Sequence, residues 1–299
     1  MAAVTSLKEQ FLSKFGFTSA VNACVHPEPI NDLDKRAPNK YDAEEASLRC
    51  QLASAYRLVD LFGWSEGVFN HLTARTADHG ILINPFGLLY NEVTASSLLK
   101  VDLDGNILDS GSTNFTFYRV AYNLHSAVHG ARPDVGCCIH LHTPEVMAYV
   151  SMGLDFPQLF QENQLLGPIK WHEYQGTFTE TAEREAIASA LGPDSNVLLL
   201  KNHGFVACGS TVAAAFFRTY NLLLTIRAQL YMTSVPRNSW SLASEESMKR
   251  SFEFFSKGFD SGNVDWPFGE LHWEAWMRAL DAMGQNTGHK YRLKVWKDQ

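Results

Sequence analysis

The chain has 299 residues, of which 45% are hydrophobic, and its formal net charge is −7. A chain of this length can bury one substantial core. No basic stripe supplies the positive charge that binding to a nucleic-acid backbone needs, which excludes nucleic acid as the main partner. The longest apolar runs, such as Val197 to Leu200, fall far short of the roughly 20 residues of a membrane span, and no secretory signal is visible.

Residues 1–42 contain several prolines and short polar residues, which predicts an N-terminal arm rather than core. Apolar residues at three- and four-residue spacing then predict a helix that begins at Ala43 and is capped by Gly63. A short strand follows, stopped by Pro85. Asp104-Gly105 between two apolar segments indicates a hairpin.

The second half of the chain alternates irregularly between helices and short apolar strands. Thr143-Pro144 is typical of a helix start, with a hydroxyl N-cap and proline in the first turn. The remaining predicted elements are a helix over 115–130, buried strands over 135–142 and 196–201, and helices over 180–191, 210–232 and 271–283. This order favours an α/β fold in which helices cover both faces of a mixed sheet, rather than a doubly wound parallel sheet.

The five cysteines are odd in number and irregularly spaced, which is typical of reduced thiols in a cytoplasmic protein. Cys137 and Cys138 are adjacent, within the predicted strand over 135–142. Packing in the core is the expected role of all five, which are Cys24, Cys50, Cys137, Cys138 and Cys208.

The clearest chemical signal is His140-Leu141-His142 within a predicted strand. Side chains alternate along a strand, so positions i and i+2 share one face about 7 Å apart at the backbone. Two imidazoles at that spacing can converge on a divalent cation. The structural alternative is that both histidines contact backbone carbonyls or solvent at the end of the strand.

A third histidine, His203, follows another predicted core strand, in Lys201-Asn202-His203-Gly204. If two neighbouring strands bring His140, His142 and His203 together, three ligands leave one coordination position open, as catalytic metal sites do. The stretch from Gly204 to Gly209 is expected to serve close backbone packing.

Several motifs, kept in order, resemble the class II aldolase/adducin family, and within it the adducin head domain. The resemblance covers roughly residues 43–292, with 293–299 as a short tail. It implies a divalent metal that polarises a carbonyl group, with zinc as the first choice and iron, cobalt or manganese as alternatives. It also implies a homotetramer. The motifs include Asn70-His-Leu-Thr-Ala-Arg75, Leu82-Ile-Asn-Pro-Phe-Gly-Leu-Leu-Tyr90, Ala131-Arg-Pro-Asp134, His140-Leu-His142-Thr-Pro, Asn202-His203-Gly and Trp273-Glu-Ala-Trp-Met-Arg278.

Two departures from the aldolase pattern concern catalysis. The resemblance expects a Ser-Ser-Glu element whose glutamate is the general base, but here it reads Ser112-Thr113-Asn114. An amide cannot accept a proton as a carboxylate does, and shifting the gap puts Ala121 there instead. The phosphate cup also differs. The resemblance assigns it a Thr-Gly and a Gly-Asn pair, which here read Phe86-Gly87 and Asn70-His71. The predicted substrate- and anion-binding residues are therefore Asn70, His71, Gly87, Ser112 and Thr113, with Asn114 at the catalytic position.

Other side chains could serve as the base. His125 lies on the helix that leads to the metal strand. His172 and Glu173 are expected in a loop that reaches the same cleft, and Glu145 opens the helix after His142. Each also has an ordinary structural role available, such as helix capping for Glu145.

Two functions follow as hypotheses. The first is a metal-dependent enzyme that acts on a small carbonyl or hydroxy-acid substrate by lyase or decarboxylase chemistry, without the usual glutamate. The alternative is a non-catalytic adducin-like module of the actin–spectrin cytoskeleton. The resemblance attributes cytoskeletal binding to a neck and a lysine-rich tail. The few basic residues after Lys290 are expected to form a solvated end instead.

Overall fold

The computed structural model describes residues 28–173, 181–260, 262 and 264–295. Eight strands form one sheet in the order β4-β3-β2-β1-β5-β8-β7-β6, and two short strands pair separately. The strands are β1 (His71–Arg75), β2 (Ile81–Ile83), β3 (Leu99–Val101), β4 (Ile107–Asp109), β5 (Cys137–Leu141), β6 (Ile169–His172), β7 (Val197–Leu200), β8 (Gly204–Gly209), β9 (Phe259–Asp260) and β10 (Asp265–Trp266).

The described helices include two long ones and several short ones. They are α1 (Leu33–Arg36), α2 (Ala43–Leu61), α3 (Arg119–Ala131), α4 (Pro144–Ser151), α5 (Gln161–Gln164), α6 (Thr181–Leu191), α7 (Val212–Met232), α8 (Glu245–Phe255) and α9 (Glu270–Ala282), with single 3-10 turns at Tyr90–Glu92 and Arg237–Ser239.

The helix starts follow from local sequence. The Asp42 carboxylate accepts a hydrogen bond from the Glu45 amide at 2.8 Å and so caps α2. Thr143 caps α4, where Pro144 stands in the first turn, and Thr211 caps α7. Each cap satisfies an amide that has no partner within its helix. The predicted starts of α2 and α4 are confirmed.

Two hydrophobic clusters lie on opposite faces of the sheet. One packs Leu72, Ile139 and Phe205 against α2, α4, α7 and α9. The other packs Cys138, Val206 and residues of β7 against α3 and α6. Within the sheet, β6 and β7 are parallel and the other neighbouring strands are antiparallel. The predicted mixed sheet with helices on both faces is therefore confirmed.

Two details of the predicted elements are wrong, and one strand was not predicted. The helix expected from residue 115 begins at Arg119, because the Thr116 carbonyl accepts a bond from the Phe86 amide at 2.7 Å and ties this segment to another loop. The stretch from Gly204 to Gly209 forms a fully buried strand, β8, which the sequence did not predict, but the expected close backbone packing is present. A Cβ atom would lie 2.5 Å from the Leu141 carbonyl oxygen at Gly204 and would overlap the Ala215 amide nitrogen at Gly209. His172 ends β6 instead of lying in a loop.

The described part of the predicted arm packs on the domain. The Ile30 side chain is fully buried, and its amide donates to the Gln285 carbonyl at 2.7 Å. The Asp32 carboxylate accepts from the Ser96 amide and hydroxyl. Residues 1–27, including Cys24, lie outside the described residues, so the arm over that range stays a prediction. No helix in the described ranges is long and apolar enough to cross a bilayer.

Candidate metal centre

His140 and His142 stand at the end of β5, and an acceptor outside the pair holds each ring. The Nδ1 atom of His140 lies 2.9 Å from the Phe205 carbonyl oxygen on the neighbouring strand β8. The Nδ1 atom of His142 lies 3.2 Å from the carboxylate of Glu66, which precedes β1. Carbonyl and carboxylate oxygens only accept, so both rings carry their proton on Nδ1 and present a lone pair on Nε2. Outer hydrogen bonds of this kind orient metal-binding histidines.

His203 reaches the pair through the tight turn between β7 and β8. Asn202 adopts a left-handed conformation there, with φ of 55°, which asparagine tolerates better than most residues. The sequence suggested that β5 and β7 are neighbouring strands. In the structure β8 lies between them. One potential ligand atom from each of the three histidines lies within 4.8 Å of the others.

The spacing of the ring nitrogens fits a cation. The Nε2 atoms of His140 and His142 are 2.8 Å apart. Two lone pairs at that distance repel each other unless a proton or a cation lies between them. Two nitrogens bound tetrahedrally to one zinc at its usual bond length would stand about 3.3 Å apart, so a small outward movement of the two rings would admit the ion.

Burial keeps these imidazoles neutral. Removal from water lowers the pKa of His140 well below its ordinary value and lowers that of His203 to about 4. Burial lowers the pKa of His142 as well, although the Glu66 carboxylate opposes this shift. A neutral imidazole is the form that binds a metal.

The residues present therefore fit a divalent metal held by His140, His142 and His203. Among the described residues, the group of potential ligands contains no carboxylate. A metal on three histidines keeps a fourth position for water or substrate, where it would supply Lewis-acid chemistry.

Three of the predicted anion-binding residues, Gly87, Ser112 and Thr113, have structural partners, whereas both polar side-chain atoms of Asn70 and the Nδ1 atom of His71 are buried without a hydrogen-bonding partner among the described residues. A Cβ atom at Gly87 would lie 2.8 Å from the Phe115 ring, so this glycine makes room for an aromatic side chain. The Ser112 hydroxyl bonds that of Ser96 at 2.7 Å. The Thr113 hydroxyl accepts from the Phe115 amide, and Asn114 is exposed in the same loop. Binding roles for these residues stay predictions.

The other predicted bases lie in different surroundings. His172 is on β6, three strand positions from β5, which corresponds to about 14 Å at ordinary strand spacing. Glu173 is exposed and pairs with Lys201. Glu145 pairs with Arg227 of α7 at 2.7 Å, beside a small pocket lined by Phe62, Trp64 and Tyr220. The structure therefore places His172, Glu173 and Glu145 outside the three-histidine cluster.

Three more histidines lie behind the cluster, under α3. His71 on β1 is opposite His140 in the register, and the two rings stack with centroids 5.8 Å apart. His125 and His129 project from α3, and both are fully buried or nearly so. Sequence reasoning named His71 and His125 but missed His129, whose i+4 spacing from His125 was the available signal. It also missed Glu66, which no local pattern singles out.

Comparisons with known proteins show which family has this fold and sequence. Residues 50–230 match the model of the class II aldolase and adducin N-terminal domain family. The chain is 40% identical to alpha-adducin of Mus musculus over 278 residues, which is 91% of this chain and 38% of that protein. It is 37% identical to gamma-adducin of Homo sapiens over 95% of this chain and 42% of that protein. The chain thus spans about two fifths of the length of these relatives.

Solved structures point to the same family. An aldolase II superfamily protein from Pseudomonas syringae is 31% identical, with a TM-score of 0.75 over 84% of this chain and 98% of that one. An L-fuculose 1-phosphate aldolase from Glaciozyma antarctica shares the fold at 22% identity, with a TM-score of 0.70 over 87% of this chain and 99% of that one. The chain belongs to the class II aldolase and adducin N-terminal domain family. The resemblance drawn from the motifs is confirmed.

Proposed function

We propose that the chain is a non-catalytic, adducin-like module of the actin–spectrin cytoskeleton in the cytoplasm, and that its three histidines hold a divalent metal. The observation that carries the cytoskeletal role is the 40% identity to alpha-adducin over 91% of the chain. The L-fuculose 1-phosphate aldolase that shares the fold is 22% identical.

The chemistry at the site supports the non-catalytic proposal. Where the family resemblance expects a glutamate base, the chain has Asn114, whose amide cannot take up a proton. The carboxylate of Glu66 is engaged with His142 Nδ1, on the side of the ring away from the Nε2 lone pair. The three histidines would hold a metal here, and among the described residues no carboxylate joins them as a ligand.

Cosedimentation of the full chain with F-actin, alone and with spectrin, tests the cytoskeletal role. We expect saturable pelleting with the filaments. The matched comparison is the chain carrying His140→Ala and His203→Ala, which should pellet equally if the metal has no part in filament binding. A chain that stays in the supernatant at every filament concentration would contradict the proposal.

Metal content tests the three-histidine site. The purified chain should hold about one equivalent of zinc, as one three-histidine site implies. The His140→Ala, His203→Ala chain should hold none. His79→Asn is the matched control, because His79 is exposed and left-handed, with φ of 64°, a conformation that asparagine also adopts. Equal zinc in all three chains would contradict a site at these residues.

The family resemblance also implies a homotetramer, which we include in the proposal. Aromatic side chains near the start of α3 support it. Phe69 and Phe115 are about half exposed, at 52% and 48%, and Phe86 stacks on the 39% exposed Tyr118 with centroids 4.8 Å apart. Exposed apolar groups of this kind favour association. Sedimentation equilibrium should give the mass of four chains, and a monomer mass at micromolar concentration would contradict it.

The second candidate function is a metal-dependent lyase or decarboxylase that acts on a small carbonyl or hydroxy-acid substrate. The observation that favours it is the fourth position that three histidines leave open. We expect the zinc-loaded chain to leave L-fuculose 1-phosphate uncleaved. Zinc-dependent cleavage that is lost in the His140→Ala, His203→Ala chain would establish the enzyme and overturn the non-catalytic proposal.

A further inference from the structure

A hydrogen-bonded chain links α3 to β1 behind the three histidines. The Thr73 hydroxyl oxygen lies 2.7 Å from His125 Nδ1 and 2.9 Å from His129 Nε2. A hydroxyl has one proton, and no other acceptor for it lies within hydrogen-bonding distance among the described residues, so it donates to one of these nitrogens and accepts from the other. The tautomers of the two histidines are therefore coupled through Thr73.

Arg75 sets the direction of this chain. Its Nη2 atom lies 3.4 Å from His129 Nδ1 and also donates to the His129 carbonyl. A guanidinium group only donates, so Nδ1 faces it with a lone pair, and the His129 proton sits on Nε2. The Val135 carbonyl, which accepts from Arg75 Nε at 3.3 Å, has a second lone pair and is the competing acceptor for a proton on His129 Nδ1. The contact of Arg75 Nη2 with that nitrogen favours the Nε2–H form instead. His129 thus donates to Thr73, and Thr73 donates to His125 Nδ1.

The remaining proton of His125 must then sit on Nε2. This atom is buried and has no hydrogen-bonding partner among the described residues. The His125 ring is 6.5 Å from that of His140 and 5.5 Å from that of His71, nearly perpendicular to both. A buried N–H without an acceptor destabilises the folded chain, and a bound acceptor would remove that cost.

We propose that the Nε2–H group of His125 binds an oxygen atom of a small 2-hydroxy or 2-oxo carboxylate that occupies the open position of the three-histidine metal site. Thr73, His129 and Arg75 are positioning residues that hold His125 as a donor. The inference rests on the metal-binding part of the proposed function. It also changes the role of His125, because a ring protonated at Nε2 cannot act there as the general base that the sequence suggested.

The ligand class follows from the donors on either side. A metal with one open position takes one oxygen of the ligand, and a neutral N–H beside it takes another. A carboxylate accepts the stronger, charge-assisted hydrogen bond, and an adjacent hydroxyl or carbonyl oxygen supplies the second contact. Glycolate is the smallest molecule with both groups and serves as the probe.

The tautomer is read first, by long-range nitrogen–proton NMR of histidine-labelled full chain. We expect the Nε2–H form at His125 in the wild type and in Thr73→Ser, which keeps the hydroxyl. Thr73→Val keeps the shape but removes the hydroxyl and should mix the two tautomers. If His129 instead donates its Nδ1 proton to the Val135 carbonyl, Thr73 donates to His129 and accepts from His125, whose proton then lies on Nδ1. Finding that Nδ1–H form at His125 in the wild type overturns the inference.

Glycolate binding to the zinc-loaded chain is then measured by calorimetry. His125→Asn removes the donor at the Nε2 position and should raise the Kd about tenfold or more, the effect of one hydrogen bond to a charged group. His125→Gln places an amide N–H near that position and should stay within about threefold of the wild type.

The possible failures are distinguishable. Unchanged glycolate affinity in His125→Asn, with one equivalent of zinc still bound, overturns the inference and leaves the metal site standing. A wild-type chain that binds no zinc overturns the metal proposal and the ligand with it, while the His125 tautomer is still read in the same sample. If His125→Asn does not fold, the Thr73→Val and Thr73→Ser pair decides, because a common glycolate Kd for both would contradict the positioning role.

Discussion

The molecule contains two groups of histidines that share one side of the sheet but differ in what holds their rings. At the end of β5, acceptors fix Nδ1 of His140 and His142, so their Nε2 lone pairs converge. Under α3, Thr73 links His125 and His129 into a chain that ends at a cation, Arg75. The comparison teaches that the outer partner of an imidazole, more than its burial, decides whether it offers a lone pair or a proton.

The largest expected effect is the pH dependence of stability that a buried histidine under α3 produces. Burial, with a contribution from Arg75, lowers the pKa of His129 to about 3, whereas an unfolded histidine titrates near 6.5. Between these values the unfolded chain binds a proton at this position and the native chain does not. The free energy of unfolding therefore falls as the pH falls, by about 1.4 kcal/mol per pH unit from this residue.

His129→Gln should remove that share of the slope, about 3 kcal/mol over two pH units, because glutamine does not titrate. Urea unfolding of the metal-free chain at several pH values measures it. The exposed-histidine variant His79→Asn should keep the wild-type slope. If His129→Gln also keeps it, His129 is protonated in the native state and its assigned role in the chain to His125 fails.

A smaller effect is expected at Gly204, where β8 passes the cluster. A Cβ atom there would lie 2.5 Å from the Leu141 carbonyl oxygen and 2.7 Å from Cδ2 of His142. Gly204→Ala should cost about 1–3 kcal/mol of stability by overpacking and should weaken zinc binding, since the ring of His142 must move.

Gly130→Ala provides the contrast, because nothing lies within 4 Å of a Cβ atom at that position of α3. Alanine in a helix should stabilise the chain by up to about 1 kcal/mol and leave zinc affinity unchanged. Urea unfolding and zinc titration of both variants measure this. Wild-type zinc affinity in Gly204→Ala would show that the close contact does not position His142.

The smallest expected effect concerns Glu66. Glu66→Gln weakens the acceptor that orients His142 and should lower zinc affinity by about tenfold, the lower end for an outer partner of a metal ligand. Glu173→Gln removes an exposed carboxylate that pairs with Lys201 and should leave the affinity as it is. Competition with a chromogenic chelator gives both values. Equal affinities would place Glu66 outside the site.

Local sequence was sufficient for most of the fold. Caps at Asp42, Thr143 and Thr211 mark helix starts because they satisfy amides within three residues of themselves. The strand predicted over 196–201 is β7, whose observed bounds of Val197–Leu200 differ by one residue at each end. The strand β8 was missed because glycines at both its ends resemble turn residues, although the apolar run between them was visible.

For the site, the sequence by itself determined that His140 and His142 share one face, since alternation along a strand is a local property. It also determined that His203 follows a core strand. Only the tertiary structure decided that β8 lies between β5 and β7, that His71 stands opposite His140, and that Glu66 and Arg75 set the ring protons. These depend on strand order, register and contacts between distant segments, which no pattern within one segment specifies.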